Sequence, residues 1–192
     1  MFKEILANLG LALDEGNIPY MIIDGQAVLL YGEPRLTRDI DVTLGVDANH
    51  LAEIIEISQK LNLKPLPSRT LEFVKQTMVL PTKDETTGIR VDFIFSFTPY
   101  EREAINRAKD ISIKNKIVKF ASPEDLIIHK VFAGRPRDLD DVRSILLKIP
   151  SVDFPYIEKW LAEFDKSLSN AGLLKKFKEI LNSILKDTQS FR

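Results

Sequence analysis

The chain has 192 residues, of which 44% are apolar and 29% are charged, and its formal net charge is −1. This composition is typical of a globular protein with a packed core, and the near-zero charge argues against a global basic field for binding nucleic acid. There is no cysteine and there are only two histidines, far apart in sequence, which excludes disulfides, thiol catalysis and thiolate zinc sites and disfavours a zinc enzyme.

The chain shows no pattern of a membrane or secreted protein. No apolar run approaches the length that a bilayer span requires. The N-terminal residues are amphipathic and mix acidic with basic side chains, unlike a signal peptide. We therefore expect a soluble, cytoplasmic protein without a membrane partner.

The first part of the chain mixes helical and strand patterns. Helical spacing of apolar residues predicts a helix from Lys3 to Glu15, ended by Gly16. A short apolar run predicts a strand from Tyr20 to Ile23. A short helix from Gln26 to Tyr31 and a second strand from Asp39 to Leu44 follow.

The middle of the chain continues this mixture. The apolar runs Phe73 to Leu80 and Ile89 to Phe95 predict paired strands, with the polar segment Pro81 to Gly88 as the loop between them. The other predicted elements are a helix from Asp47 to Leu61, a helix from Pro99 to about Ala108, and a hairpin from Ile111 to Phe120.

The last part of the chain is helical. Ser122-Pro123-Glu124-Asp125 has a serine N-cap, a proline at the first helical position and acids in the first turn. Helical patterns continue from Leu139 to Leu147 and from Asp153 onward. We therefore predict an α+β protein, with a core over residues 1–121 and a helical C-terminal region over residues 122–192.

Three carboxylates stand at positions that favour a metal-binding site. Asp39 and Asp41 lie two residues apart in a predicted strand, so they share one face, roughly 7 Å apart along the chain. Asp92 lies inside a later apolar run, so a neighbouring strand can bring it to the pair. Mg²⁺ suits such a set of hard oxygen ligands, and it also accepts phosphate oxygens. The plainer interpretation of Asp92 is an ion pair with an arginine, because Arg90 shares its face.

The stretch from Ile23 to Val42 resembles the signature of the nucleotidyltransferase superfamily, which has a polymerase-beta-like fold. The glycine turn is Asp24-Gly25, and the Asp-x-Asp pair is Asp39-Ile40-Asp41. The resemblance implies a mixed sheet flanked by helices.

The sequence is most similar to the AbiEii-type, toxin-related group of that superfamily. That group carries a downstream helix with a lysine, followed by an Arg-x-x-Asp segment. Here the matching residues are Lys130, the segment Arg135-Pro136-Arg137-Asp138, and Asp141.

The resemblance implies a metal-dependent enzyme that moves a nucleoside monophosphate from a nucleoside triphosphate to an acceptor hydroxyl. Asp39, Asp41 and Asp92 would be catalytic and would bind Mg²⁺ or Mn²⁺, and Asp92 would help to deprotonate the hydroxyl. The implied nucleotide-binding residues are Gly25, Gln26, Arg38, Lys130, Arg135 and Asp138.

One residue departs from the pattern of the family. Asp24 stands where the first glycine of the turn is usual, and a carboxylate beside a triphosphate is unfavourable unless it points away or binds metal. This residue favours an alternative, a non-catalytic module that binds a nucleotide or a partner. A toxin with an antitoxin partner is a further alternative. The acceptor stays open among a protein, a tRNA and a small molecule.

Overall fold

A computed structural model describes residues 1–96, 98–169 and 171–190, with side chains up to residue 186. The chain packs as two compact units. The sheet unit comprises residues 1–27 and 36–122, and the helical unit comprises residues 28–35 and the chain from 123 onward. The predicted α+β class, with a mixed sheet and a helical C-terminal part, is confirmed, whereas the predicted boundary between a catalytic core and a helical region stays a prediction.

The sheet unit is built on a mixed sheet with the strand order β3-β4-β5-β2-β1-β7-β6. The pairs β2–β5 and β1–β7 are parallel, and the other neighbours are antiparallel. The strands are β1 Tyr20–Ile23, β2 Asp39–Leu44, β3 Leu63–Pro65, β4 Val79–Asp84, β5 Arg90–Phe95, β6 Lys109–Ile113 and β7 Lys116–Phe120.

Helices occupy much of the rest of the described chain. Those that lie wholly in the sheet unit are α1 Phe2–Glu15, α3 Leu51–Lys60, α4 Thr70–Thr77 and α5 Pro99–Asn106. Helix α2, Asp24–Tyr31, runs from the sheet unit into the helical unit, which continues with α6 Pro123–Ala133, α7 Pro136–Lys148, α8 Phe154–Ser167 and α9 Leu173–Ser190. Within the described ranges, none of these helices combines the length and the apolar character that crossing a bilayer would require.

The prediction of a strand from Phe73 to Leu80 was wrong for most of its length. Residues Thr70–Thr77 form a helix that buries Val74 and leaves Phe73 exposed. Met78, with φ of 57° in the left-handed region, ends the helix, and β4 begins at the next residue. The apolar residues Leu71, Phe73 and Val74 fit an i,i+2 step as well as an i,i+3 step, so their spacing did not distinguish a strand from a helix.

The predicted loop from Pro81 to Gly88 was also wrong at its start. Strand β4 continues through Pro81 to Asp84 and pairs with β5 as far as Lys83. The turn begins only after Asp84, whose Oδ1 accepts hydrogen bonds from the backbone N–H and hydroxyl of Thr87. The polar character of the segment suggested a loop, but its first residues, including Pro81, extend the strand.

The predicted hairpin near the end of the sheet unit is confirmed. Strands β6 and β7 pair in antiparallel fashion from Ile113↔Lys116 outward. Lys114 and Asn115 form the two-residue turn with φ of 50° and 61°. Two successive left-handed residues match the twist of a tight hairpin.

A buried charge network holds the helical unit together. The ammonium of Lys130 on α6 lies 3.0 Å from an oxygen of Asp138 and 3.0 Å from an oxygen of Asp141, both on α7. The side chain of Lys130 is only 3% exposed. Arg35 places two guanidinium nitrogens 2.9 Å from the two oxygens of Asp141, so residues 28–35 are fastened to the same helix.

The charge balance at Asp138 favours the ionised carboxylate. Burial by itself would raise the pKa of Asp138, but hydrogen bonds from Arg135 and Lys130, together with the charges of both, outweigh burial and hold that pKa below its ordinary value. Arg135 Nε lies 2.6 Å from Asp138 Oδ2. Asp138 therefore stays charged in the buried network and needs its cations.

Lys130→Met should lower the free energy of unfolding by about 3 kcal/mol, because removal of one partner leaves buried carboxylates with less compensation. Lys166→Met is the matched control, since Lys166 pairs with Glu163 on the exposed face of α8 and should change stability by less than about 0.5 kcal/mol. Urea denaturation measures both variants. Equal midpoints for the two variants would show that Lys130 does not stabilise the unit.

Candidate functional site

One row of paired residues crosses four strands of the sheet. Ile23 pairs with Asp41, Asp41 with Asp92, and Asp92 with Pro81. Directly paired residues point to the same side of a sheet, so Asp41 and Asp92 share a face. Asp39 lies two residues before Asp41 in β2 and points to that face as well. We call these three residues the aspartate face.

An arginine accompanies the aspartate face. Arg90 lies directly opposite Asp39 in the register of β2 and β5. Its guanidinium donates to both carboxylate oxygens of Asp92, at 2.7 and 3.1 Å. The side chain of Asp92 is 17% exposed and that of Arg90 is 51% exposed.

The turn after β1 requires glycine at position 25, because a side chain there would collide with Thr37. A Cβ atom at this position would stand 2.3 Å from the hydroxyl oxygen and 2.8 Å from the Cβ of Thr37. The same hydroxyl donates to the Asp39 carboxylate at 3.1 Å. The missing side chain at position 25 thus allows Thr37 to approach and to hold Asp39.

The predicted nucleotide-binding residues beside this turn differ in their contacts. The amide of Gln26 is buried and donates to the backbone carbonyl of Asp39 at 3.2 Å, so Gln26 helps to fix the start of β2. Arg38 is exposed next to Asp39. A direct contact of either side chain with a nucleotide stays a prediction.

The backbone explains the acid at position 24. Asp24 has φ of 50°, in the left-handed region that glycine adopts most easily. Asp and Asn are the side-chain-bearing residues that tolerate this region best. Asp24 can therefore take the place of a glycine without changing the path of the turn.

The remaining predicted nucleotide-binding residues lie in the helical unit. Lys130, Arg135 and Asp138 all belong to the charge network of α6 and α7 described above. Lys130 and Asp138 are buried there, whereas Arg135 is exposed. A role of these three side chains in nucleotide binding stays a prediction.

Sequence reasoning did not identify Thr37 as part of the site. Its hydroxyl contacts Asp39 two residues later, a spacing at which a threonine side chain commonly binds a nearby acceptor. The steric demand on Gly25 involves residues twelve positions apart and gives no local pattern. The proximity of Asp92 to Arg90 was the plainer alternative for Asp92, and that ion pair is present.

The chain is similar in fold to several solved structures. An antigenic nucleotidyltransferase-like protein from Paracoccidioides brasiliensis is 20% identical, with 91% of this chain and 92% of that chain covered and a TM-score of 0.57. The solution structure of the antibiotic-resistance factor ANT(2'')-Ia is 17% identical, covers 88% of this chain and 93% of that one, and has a TM-score of 0.60. A crystal structure of ANT(2'')-Ia in complex with adenylyl-2''-tobramycin is 18% identical, covers 87% and 98%, and has a TM-score of 0.59.

These identities are low, so the likeness shows the fold alone. No curated protein matches the chain by sequence. A family described as a nucleotidyltransferase of unknown function, DUF6036, matches residues 2–192, which is almost the whole sequence. The chain therefore belongs to that nucleotidyltransferase family.

Proposed function

We propose that the protein is a Mg²⁺-dependent nucleotidyltransferase that moves a nucleoside monophosphate from a nucleoside triphosphate to an acceptor hydroxyl. The oxygen of the hydroxyl forms a new bond to the α-phosphorus, the bond from the α-phosphorus to the bridging oxygen breaks, and pyrophosphate leaves. The hydroxyl proton passes to a base. The acceptor class is open among a protein, a tRNA and a small molecule.

The observation that carries this proposal is the aspartate face beside the turn at Gly25. Asp41 lies opposite Asp92 and in the same row as Ile23, the residue that precedes the turn. Carboxylates and a turn that opens a helix are thus neighbours across the sheet. Backbone N–H groups at the start of a helix favour phosphate oxygens, so the turn is suited to the triphosphate.

The ligand type of the aspartate face suits a magnesium ion. Asp39, Asp41 and Asp92 offer carboxylate oxygens, which are the ligands that Mg²⁺ prefers. When bound, the ion would stabilise charge on phosphate oxygens. Mn²⁺ accepts the same ligands.

The side chains around the ligands would position them. Thr37 and Gln26 hold the carboxylate and the backbone carbonyl of Asp39, and Arg90 holds both oxygens of Asp92. Charged and polar groups that are held in place in this way need less rearrangement during the reaction. Asp92 would accept the proton of the acceptor hydroxyl, because a carboxylate offers further lone pairs beyond those used by one guanidinium.

A non-catalytic module is the second candidate, and two observations favour it. Arg90 already provides a counter-charge for Asp92, as a structural ion pair does. Asp24 adds a carboxylate at the turn where the triphosphate would bind. A module of this kind would bind a nucleotide or a partner without needing a divalent ion.

The AbiEii-type grouping supports a third assignment, the toxin of a toxin–antitoxin pair. It depends on the sequence pattern of Lys130, Arg135, Asp138 and Asp141. The buried network of these residues stabilises the helical unit whatever the acceptor is.

Asp92→Asn should reduce Mg²⁺-dependent transfer of label from an α-labelled nucleoside triphosphate to cell extract by about 10² to 10³-fold, because it removes one charged ligand and the proposed base. Asp110→Asn is the control, since Asp110 is exposed on β6 of the same unit. Both variants should keep the wild-type melting temperature to within a few degrees. Transfer by Asp92→Asn at the wild-type rate would refute the role of Asp92.

Calorimetry separates the enzyme from the non-catalytic module. The enzyme proposal predicts that ATP binds at least about tenfold more weakly when a chelator removes Mg²⁺, because the aspartate face then repels the triphosphate. Asp41→Asn should shrink this metal effect, and Asp110→Asn should keep it. Equal ATP affinity with and without Mg²⁺ in the wild-type protein would favour the module.

Expression in a bacterial host tests the toxin assignment. Wild-type protein should arrest growth, and Asp92→Asn should not, because the arrest would come from nucleotidyl transfer. Colony counts after induction measure the difference. Normal growth with the wild-type protein would refute the toxin assignment. The enzyme proposal would still be tested by the transfer assay.

A further inference from the structure

An open groove lies beside the aspartate face within the sheet unit. Its volume is about 520 Å³, which lies in the range of small-molecule sites. Leu66, Pro67, Phe73 and Pro81 give it apolar walls. Leu66 is 49% exposed and Phe73 is 37% exposed, so large apolar surfaces there are in contact with water. Covering such surfaces is favourable for an apolar ligand.

The groove is continuous with the proposed site through two residues. Arg90 lines the groove and also binds the carboxylate of Asp92. Pro81 lines the groove and pairs with Asp92 in the row that crosses the sheet. A ligand in the groove would therefore reach Asp92 without leaving that face of the sheet.

The strand order separates the groove from the glycine turn. The turn follows β1, which lies on one side of β2, whereas β5 and then β4 lie on the other side. The carboxylates of Asp41 and Asp92 stand between the two in one row. The turn and the groove thus flank the carboxylates from opposite sides. This arrangement suits the two reactants of a transfer, with the nucleotide at the turn and the acceptor in the groove.

The charges of the groove favour an uncharged ligand. Arg69 lies 3.3 Å from Glu72, and Arg90 lies 2.7 Å from Asp92. Each of these arginines thus has a carboxylate partner, and once Asp92 beside the groove is counted with Glu72 the charges balance, which does not favour a phosphate backbone. Binding of nucleic acid depends mainly on such an excess.

We propose that this groove is the acceptor subsite and that it takes a small, uncharged molecule with an apolar ring and a hydroxyl group. The ring packs against Phe73 and the hydroxyl points to Asp92. This inference rests on the proposed function, since an acceptor subsite requires a nucleotide donor. The acceptor assignment makes Phe73 a residue that determines which acceptor binds.

The test is an NMR titration of the ¹⁵N-labelled full-length protein with 2-phenylethanol, which has a ring, a hydroxyl and no charge. We expect chemical-shift changes in the backbone amides of residues 66–76 and 90–92. Phe73→Ser should weaken the binding about tenfold, because a ring contact and its buried area are lost. Leu71→Ser, an exposed position on the same helix outside the groove, should stay within about twofold of the wild type.

Two results would overturn the assignment of the groove. One is the absence of shift changes at these amides, or an equal effect of Phe73→Ser and Leu71→Ser. The other is a short single-stranded RNA that shifts the same amides at lower concentration than 2-phenylethanol, which would assign the groove to a macromolecular acceptor.

A parallel titration of the same samples with Mg²⁺ and ATP distinguishes the two proposals. Shift changes at residues 24–27 in the wild type and in Phe73→Ser support the nucleotide site independently of the groove. If Mg²⁺ and ATP bind and 2-phenylethanol does not, only the acceptor assignment fails. If Mg²⁺ and ATP leave these amides unchanged, the proposed function fails, and the acceptor role of the groove fails with it.

Discussion

The register of β2 against β5 sets two carboxylates directly opposite each other. Their mutual repulsion constrains the residues around them. Strands in a sheet are roughly 4.8 Å apart, and like charges at directly paired positions destabilise it. Asp41 and Asp92 occupy such positions, and Asp39 adds a third charge on the same face. Arg90 offsets one of them through its bond to Asp92. A divalent cation bound to these carboxylates would offset further negative charge, which would connect the stability of this face with the proposed chemistry.

The neighbouring contacts keep the carboxylates in place in spite of that repulsion. Gly25 leaves the space in which Thr37 reaches the Asp39 side chain, and Gln26 binds the Asp39 backbone. The left-handed backbone of Asp24 allows the chain to turn directly from β1 into α2. The turn thus anchors the first residue of β2, and it starts a helix whose first N–H groups would favour an anion.

Much of this site follows from local sequence signals. The Asp-x-Asp spacing, the glycine and the strand around Asp92 predicted the face that these residues share, because strand alternation is a local rule. Helix α4 was predicted as a strand because its apolar residues fit both periods, and the short strand β3 was not predicted. The groove could not be predicted from the sequence, since it depends on how α4 lies beside β4 and β5. The burial of Lys130 was equally hidden, because a buried lysine and a surface lysine give the same helical pattern.

The central claim is that a divalent ion binds among Asp39, Asp41 and Asp92. Paramagnetic Mn²⁺ tests it most directly, because the ion broadens the NMR signals of nearby amides at substoichiometric concentration. We expect broadening at residues 39–41 and 90–92 in the wild-type protein, reversed by excess Mg²⁺ and abolished in Asp41→Asn. Broadening that is absent from these residues, or unchanged in Asp41→Asn, would contradict a shared ion at this face.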